Sequence, residues 1–245
     1  MSNHMKTAEK IRLKATDLYN QDPVTIAFLG DSVTHGVFEV YPLESGMTLP
    51  AFDADCVYHA YFKKMINTVF PGVPLNIINA GINGSNAPGG AERLERDVLR
   101  FHPDLTVVCF GLNDATAGLE GLGNYAAALD DIFSCLQENG SEVIFMTPNM
   151  FNTGVSIHVT DEKLKKIAGM FMDIQNNGIM DQYMETARET CKKHAVPVCD
   201  CYAKWKKLQD WGADITALLS NYLNHPIREL HYLFASSLFE TIFFE

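Results

Sequence analysis

Five short apolar runs recur along the chain with helix-like stretches between them, and this alternation constrains the fold more than any other feature. The runs cover residues 24–29, 75–80, 105–110, 142–147 and 196–201, and are rich in branched and aromatic side chains. Four of them end on a breaker, at Gly30, Gly81, Gly111 and Pro148. Helical spacing appears over 55–70, 91–101, 124–139, 181–194 and 227–242. In the first of these stretches Val57, Tyr61, Met65 and Val69 lie four residues apart; Leu94, Val98 and Phe101 mark the second, and Leu230, Phe234 and Leu238 the last. Gly140 stands where the third should end. Strands alternating with helices predict a three-layer α/β/α architecture on a five-stranded parallel sheet.

The length of 245 residues suits one domain over 1–245, with a polar, helical lead-in over 1–20. No repeat or linker marks a boundary. Two longer irregular stretches, 37–54 and 149–161, are expected to wall a substrate site, since loops of that length in a compact domain commonly serve function.

The formal net charge of -11, from 19 Lys+Arg against 30 Asp+Glu, repels phosphate backbones and anionic membrane surfaces. Nucleic acid and membrane are therefore not expected as partners. Residues 1–14 are polar and charged, without the apolar core of a signal peptide, and no run is long enough to cross a bilayer. The six cysteines, at 56, 109, 135, 191, 199 and 201, include one C-x-C pair without the second pair a zinc site needs. Reduced thiols and a cytoplasmic setting are expected.

In an open parallel sheet, ligands bind beyond the carboxyl ends of the strands. The first run is followed by Gly30-Asp31-Ser32, the second by Gly81-Ile82-Asn83-Gly84 and the third by Gly111-Leu112-Asn113-Asp114. One edge thus receives a hydroxyl, a glycine turn and a side-chain amide. Acyl transfer needs a nucleophile and donors aimed at a developing oxyanion. It also needs a base. His225, just before Pro226 and the last helix, is the better candidate, because His231 falls inside that helix where packing or exposure explains it. His59, His102, His158 and His194 lack any partner pattern. A phosphate binder is disfavoured, since residues 30–36 carry no P-loop lysine or G-x-G-x-x-G spacing and place Asp31 where it would repel phosphate.

These segments together resemble the GDSL/SGNH hydrolase superfamily of esterases, lipases, thioesterases and carbohydrate acetylesterases. Gly30-Asp31-Ser32-Val33 matches its nucleophile block, and Asn79-Ala80-Gly81-Ile82-Asn83-Gly84 its glycine block. Gly111-Leu112-Asn113-Asp114 matches the G-x-N-D block and His225-Pro226 the histidine block. Each is short, but four in order, each after the expected element, span roughly residues 24 to 240. The resemblance implies a flavodoxin-like sheet, Ser32 as nucleophile and His225 as base. It implies an oxyanion hole from the N–H groups of Ser32 and Gly84 and the amide of Asn113, with no metal or organic cofactor. Asp114 is expected to cap a helix or to orient a neighbour.

The sequence departs from the family at one place. The triad acid usually lies three residues before the histidine, and that residue here is Tyr222, which is neutral at working pH. Three arrangements answer this gap. A Ser–His dyad would have His225 oriented by a backbone carbonyl or by the amide of Asn221 or Asn224; a relocated carboxylate such as Asp214 would restore a triad; or the protein is weakened as a hydrolase. The leading expectation is a serine esterase acting on a small-molecule ester, with O-acetyl groups on carbohydrate favoured by the family and by the polar-aromatic stretch around Tyr41. The alternatives are a lipase or thioesterase of the same family, or a catalytically weakened ligand-binding member. Acyl length and oligomeric state are not set by the sequence.

Overall fold

The computed structural model describes residues 5–45 and 47–244. Its strands are β1 (Val24–Gly30), β2 (Val37–Pro42), β3 (Thr48–Phe52), β4 (Leu75–Gly81), β5 (Leu105–Cys109), β6 (Glu142–Met146) and β7 (Val198–Cys199). Five of them form one parallel sheet in the order β4-β1-β5-β6-β7. Counting only these strands along the chain, that is 2-1-3-4-5, the flavodoxin-like order. The strand order reverses at β1, so a crevice opens beyond the carboxyl ends of β1 and its neighbours. Gly30 pairs level with Gly81 on one side and with Cys109 on the other. The register therefore brings the segments after β1, β4 and β5 to the same edge at the same height.

Helices cover both faces. Tyr58–Val69 packs on His231–Phe243, with the rings of Tyr61 and Tyr232 stacked at 3.8 Å. On the opposite face Ala87–Glu92 packs on Leu122–Glu138, which packs on Ile179–Lys193. The buried stripe of Leu122–Glu138, from Tyr125 and Leu129 to Ile132, Phe133 and Leu136, follows the helical period, and Gly140 lies just past its end at φ +82°. Phe28, Phe62, Val107, Phe133 and Phe145 are completely buried in the core between the layers. Burying each such side chain stabilises the fold by about 1.5–3 kcal/mol.

Several boundaries differ from the sequence reading. Residues 91–101 form no continuous helix: the chain turns through Ala87–Glu92, Leu94–Asp97 and the 3-10 turn Leu99–Phe101, and Phe101 is half exposed. The buried side of Tyr58–Val69 is Tyr58, Tyr61, Phe62 and Ile66, while Val69 is half exposed. The fifth strand shrinks to two residues because Asp200 caps a helix, Cys201–Asp210, by accepting from the Ala203 N–H. The helix Glu162–Asn176 is new, capped by Asp161 on the N–H groups of Lys163 and Leu164. Within the stretch 37–54, β2 and β3 pair antiparallel, whereas 149–161 is irregular as expected.

All six cysteines are free, with the Sγ atoms of Cys199 and Cys201 3.8 Å apart. Among the described residues no helix is long and apolar enough to cross a membrane.

Candidate active site

Ser32 opens a four-residue helix, Ser32–His35, directly after β1. Asp31 caps it, its Oδ1 accepting from the Val33 N–H at 2.9 Å. As the first helical residue, Ser32 has an N–H with no acceptor inside the helix, so that group is free to point outward. The turn sits hard against β4. A Cβ on Gly81 would lie 2.3 Å from the His35 nitrogen, so only glycine permits this approach.

His225 reaches this turn from the far end of the chain. Its Nε2 lies 2.9 Å from Ser32 Oγ, and both residues are buried. Its Nδ1 lies 2.9 Å from the main-chain oxygen of Phe38 in β2. A carbonyl oxygen only accepts, so Nδ1 carries the proton and Nε2 presents its lone pair to the serine hydroxyl. Burial is the main influence on the imidazole and pushes its pKa down to about 4, with the Phe38 hydrogen bond and the charge of Glu39 acting the other way. His225 is thus neutral across the ordinary pH range.

The segment before the base explains the residues that precede it. Asn221 Oδ1 accepts from the N–H groups of Leu223, Asn224 and His225, each at 3.0 Å, forming a tight side-chain-to-backbone turn. Its Nδ2 donates to Asn224 Oδ1 at 2.9 Å and lies 3.1 Å from His225 Nδ1. Because Nδ1 already donates to Phe38, Asn221 acts through the backbone, and the Asn224 side chain serves Asn221. Tyr222 takes a left-handed φ of +59° and stacks on His158 at 5.2 Å. Together with Thr153, Asp214 and Thr216 these two rings line a cavity of about 490 Å³ beside the 149–161 stretch. Asp214 accepts from the Ala217 N–H in the following 3-10 turn and has no contact with His225, so the relocated-acid arrangement through Asp214 is not formed. No carboxylate hydrogen-bonds His225 among the described residues; Phe38 does.

The expected oxyanion donors gather on the same edge. Gly84 has φ +79°, and a Cβ there would meet nothing, so the backbone conformation is what calls for glycine. Asn113 Nδ2 donates one hydrogen to Ser85 O at 2.7 Å, which fixes the amide beside Gly84 and leaves its second hydrogen free. Asp114 caps a neighbouring helix, accepting from the Ala87 N–H at 2.9 Å. Burial raises its carboxyl to about 6, and its Oδ2 has no partner among the described residues. Asp31 is raised further, to about 7, chiefly by burial and also by Asp114.

Two contributors escape a reading of the sequence. Phe38 acts through its carbonyl, which no side chain announces. Arg93 is buried and donates to Ala80 O at 2.6 Å, Gly30 O at 2.9 Å and Ser85 Oγ at 3.4 Å, tying the ends of β1 and β4 to the Gly84 loop. His59 and His231 belong to the core, His59 against Thr34 O at 3.2 Å and His231 accepting from the Tyr58 N–H at 3.1 Å. Among the described residues no group of three His, Cys, Asp or Glu side chains is placed to hold a metal ion.

The chain resembles several solved structures at low identity. A catalytic mutant of an acetylxylan esterase from Geobacillus stearothermophilus superposes with a TM-score of 0.68 and 20% identity over 91% of this chain and 95% of that one. A two-domain esterase active on acetylated mannans gives 0.67 and 18%, over 96% of this chain and 52% of the other. An α/β hydrolase from the metagenome of Lake Arreo, Spain, gives 0.66 and 18%, over 89% and 94%. No curated protein sequence matches significantly. At these identities the likeness speaks for the fold. The sequence model of the GDSL-like lipase/acylhydrolase family matches residues 28–231, most of the chain and all four motif segments. The protein belongs to the GDSL-like lipase/acylhydrolase family and is a carboxylic ester hydrolase.

Proposed function

We propose that the protein is a serine esterase that removes small acyl groups, O-acetyl groups on carbohydrate first among them, through an acyl-enzyme on Ser32. The observation that carries this reading is the 2.9 Å contact between Ser32 Oγ and His225 Nε2, with the tautomer set from behind by Phe38. Ser32 Oγ attacks the acyl carbon as its proton passes to Nε2, giving a tetrahedral oxyanion and an imidazolium. The N–H groups of Ser32 and Gly84 and the Asn113 amide receive the oxyanion. His225 then returns the proton to the departing alcohol. Water attacks the acyl-enzyme in a second round as His225 takes its proton; the acyl–Oγ bond then breaks, His225 returns the proton to Ser32 Oγ, and the carboxylic acid leaves.

The acetyl and carbohydrate preference draws on the substrates named for the similar structures, an acetylxylan and acetylated mannans. The cavity bordered by Tyr222 and His158 offers stacked rings of the kind that suit a sugar face. A chromogenic ester panel of rising acyl length, with acetylated xylan and mannan oligosaccharides, tests both parts on wild type, Ser32→Ala and His225→Ala. Turnover falling with acyl length and lost in both variants is expected. Equal rates in all three proteins would end the Ser32 reading, and a preference for long acyl chains would end the acetyl one.

A further inference from the structure

In a Ser–His–Asp triad the acid orients the imidazole and stabilises the imidazolium that forms. Here a peptide carbonyl does the first task, which leaves the question of what holds that carbonyl and what supplies the charge. Phe38 and Glu39 lie where the register of β2 on β3 shifts: Val37 pairs with Phe52 and Val40 with Pro50, so two residues of β2 face one of β3. Such a bulge takes a residue out of the ladder and re-aims it. It turns the Phe38 carbonyl toward His225.

Three charged side chains brace the bulge. Arg228 Nη1 donates to Glu39 Oε1 at 2.6 Å, Nη2 to Glu39 Oε2 at 3.1 Å, and Nε to Asp53 Oδ2 at 2.8 Å. The guanidinium carbon also lies 4.3 Å from the centre of the buried Phe38 ring, and the His231 ring is tilted against Phe38 with centroids 4.9 Å apart. Arg228 is three residues beyond His225, so one short segment carries both the base and the clamp on its acceptor. Two carboxylates against one guanidinium leave one net negative charge. Arg228 holds both carboxyls below their usual range, so that charge persists at working pH.

We propose that the Glu39–Arg228–Asp53 clamp takes over the work of the absent triad acid, fixing the Phe38 carbonyl on His225 and placing one net negative charge behind the imidazole. Glu39, Arg228 and Asp53 are positioning residues, since none touches the reacting atoms. The inference rests on the reading of Ser32 and His225 as nucleophile and base. Of the other ionisable groups around the site, His231 is buried with its pKa pushed down to about 3 and therefore uncharged across the range that matters, and Asp31, the residue before Ser32, is raised to about 7 by burial and is unchanged in every variant compared.

The charge makes a prediction whose sign a purely structural brace would not share. Rates of 4-nitrophenyl acetate hydrolysis are measured against pH for wild type, Glu39→Gln, Asp53→Asn and Arg228→Met. Glu39→Gln and Asp53→Asn each take the clamp from one negative charge to none while keeping an oxygen for Arg228. In both, the acid limb is expected to move to lower pH and kcat to fall about three- to tenfold, with KM little changed. Arg228→Met leaves two carboxylates uncompensated, so its limb moves to higher pH while looser positioning lowers kcat about tenfold or more. If Arg228→Met fails to fold, the two isosteric variants decide alone. Acid limbs unmoved from wild type in Glu39→Gln and Asp53→Asn overturn the proposal. Fluorophosphonate labelling of wild type separates the two levels: no labelling at Ser32 overturns the underlying reading, whereas labelling at Ser32 with unmoved limbs overturns the clamp alone.

Discussion

His225 Nδ1 meets the main-chain oxygen of Phe38 at 2.9 Å, while Tyr222, in the position where the family carries its acid, stacks on His158 instead. The acceptor behind the base is thus already filled, and the backbone at 222 is left-handed. Putting a carboxylate back by Tyr222→Asp is therefore expected to restore nothing. The Asx turn from Asn221 holds the segment, and an aspartate at 222 would have to displace a formed hydrogen bond to reach Nδ1. We expect kcat of Tyr222→Asp to stay within about threefold of wild type, a difference well under 1 kcal/mol in the barrier. A tenfold gain would show that Nδ1 is open to a carboxylate and that the Phe38 bond is dispensable.

The buried imidazole dictates the pH profile. The pKa of His225 is pushed down to about 4 by burial, and the proposed mechanism needs the unprotonated ring. Activity is lost only as pH falls through that value, and the kcat/KM profile reports the free enzyme. The acid limb of kcat/KM is expected near pH 4, about 2.5 pH units below that of an unperturbed histidine. Initial rates between pH 3.5 and 8, with folding checked by circular dichroism at each point, measure it. A limb centred at 6.5 would mean a solvated base.

Asn113 gives one amide hydrogen to Ser85 O and keeps the other free, and the proposed mechanism aims that second hydrogen at the oxyanion. Asn113→Ala removes a donor that acts chiefly in the transition state. A loss of about 10²–10³ in kcat is expected, with KM changed far less. A variant that lost affinity and kept its turnover would place the amide in ground-state binding.

Much of this site was legible because its parts sit at strand ends. Gly30, Gly81 and Gly111 close apolar runs, and the parallel register then carries Ser32, Gly84 and Asn113 to one edge without further information. His225 was legible from its place before Pro226 and a helix. The acceptor behind it was left open among three arrangements, because it is a carbonyl from a strand pair that residues 37–54 do not display: Pro50 and the bulge break the alternation that signals strands. Helix Cys201–Asp210 was hidden by an apolar run that continues through its first turn, with the Asp200 cap inside it. In Glu162–Asn176 the first turns carry Lys163, Lys165 and Lys166, and the buried Ala168, Phe171 and Ile174 that follow stand among Gly169, Met170 and Met172, which blur the helical stripe. The place of Arg93 in the site gave no signal, since Gly30 O and Ala80 O, which hold it there, are backbone oxygens brought together only by the sheet.

Arg93 then becomes a sharp test of how the site is held. Its two terminal nitrogens satisfy Gly30 O and Ala80 O and pair with Asp97 at 3.1 Å. Arg93→Met keeps the apolar stem and takes a charged donor from each of those buried carbonyls, of which Gly30 O keeps the Ile82 N–H at 3.1 Å. A stability loss of about 2–4 kcal/mol is expected. The Gly84 loop also loses its tether through Ser85, so kcat should fall in the protein that remains folded. Denaturant titration and kcat on the same preparations separate the two effects. Undiminished stability would show that water replaces the guanidinium at no cost.

Asp31 offers a stability test whose direction follows from linkage. Burial raises its folded-state pKa to about 7, whereas an unfolded aspartate titrates near 3.9. Below about pH 4 both states are protonated. As pH rises, the unfolded chain releases its proton while the folded chain keeps it, so this carboxyl increasingly favours unfolding until it ionises in the fold as well, near pH 7. Asp31→Asn removes the titration and keeps the side-chain oxygen that accepts from the Val33 N–H. The stability of the variant relative to wild type should therefore be close to level near pH 4, climb with pH, and flatten above about 7, with a total span on the order of 4 kcal/mol. Paired thermal melts at pH 4.5, 6 and 8 measure the trend. A difference that stays constant with pH would mean that Asp31 is ionised in the folded protein throughout, and one that turns against the variant as pH rises would mean that the Asp31 carboxylate is itself stabilising.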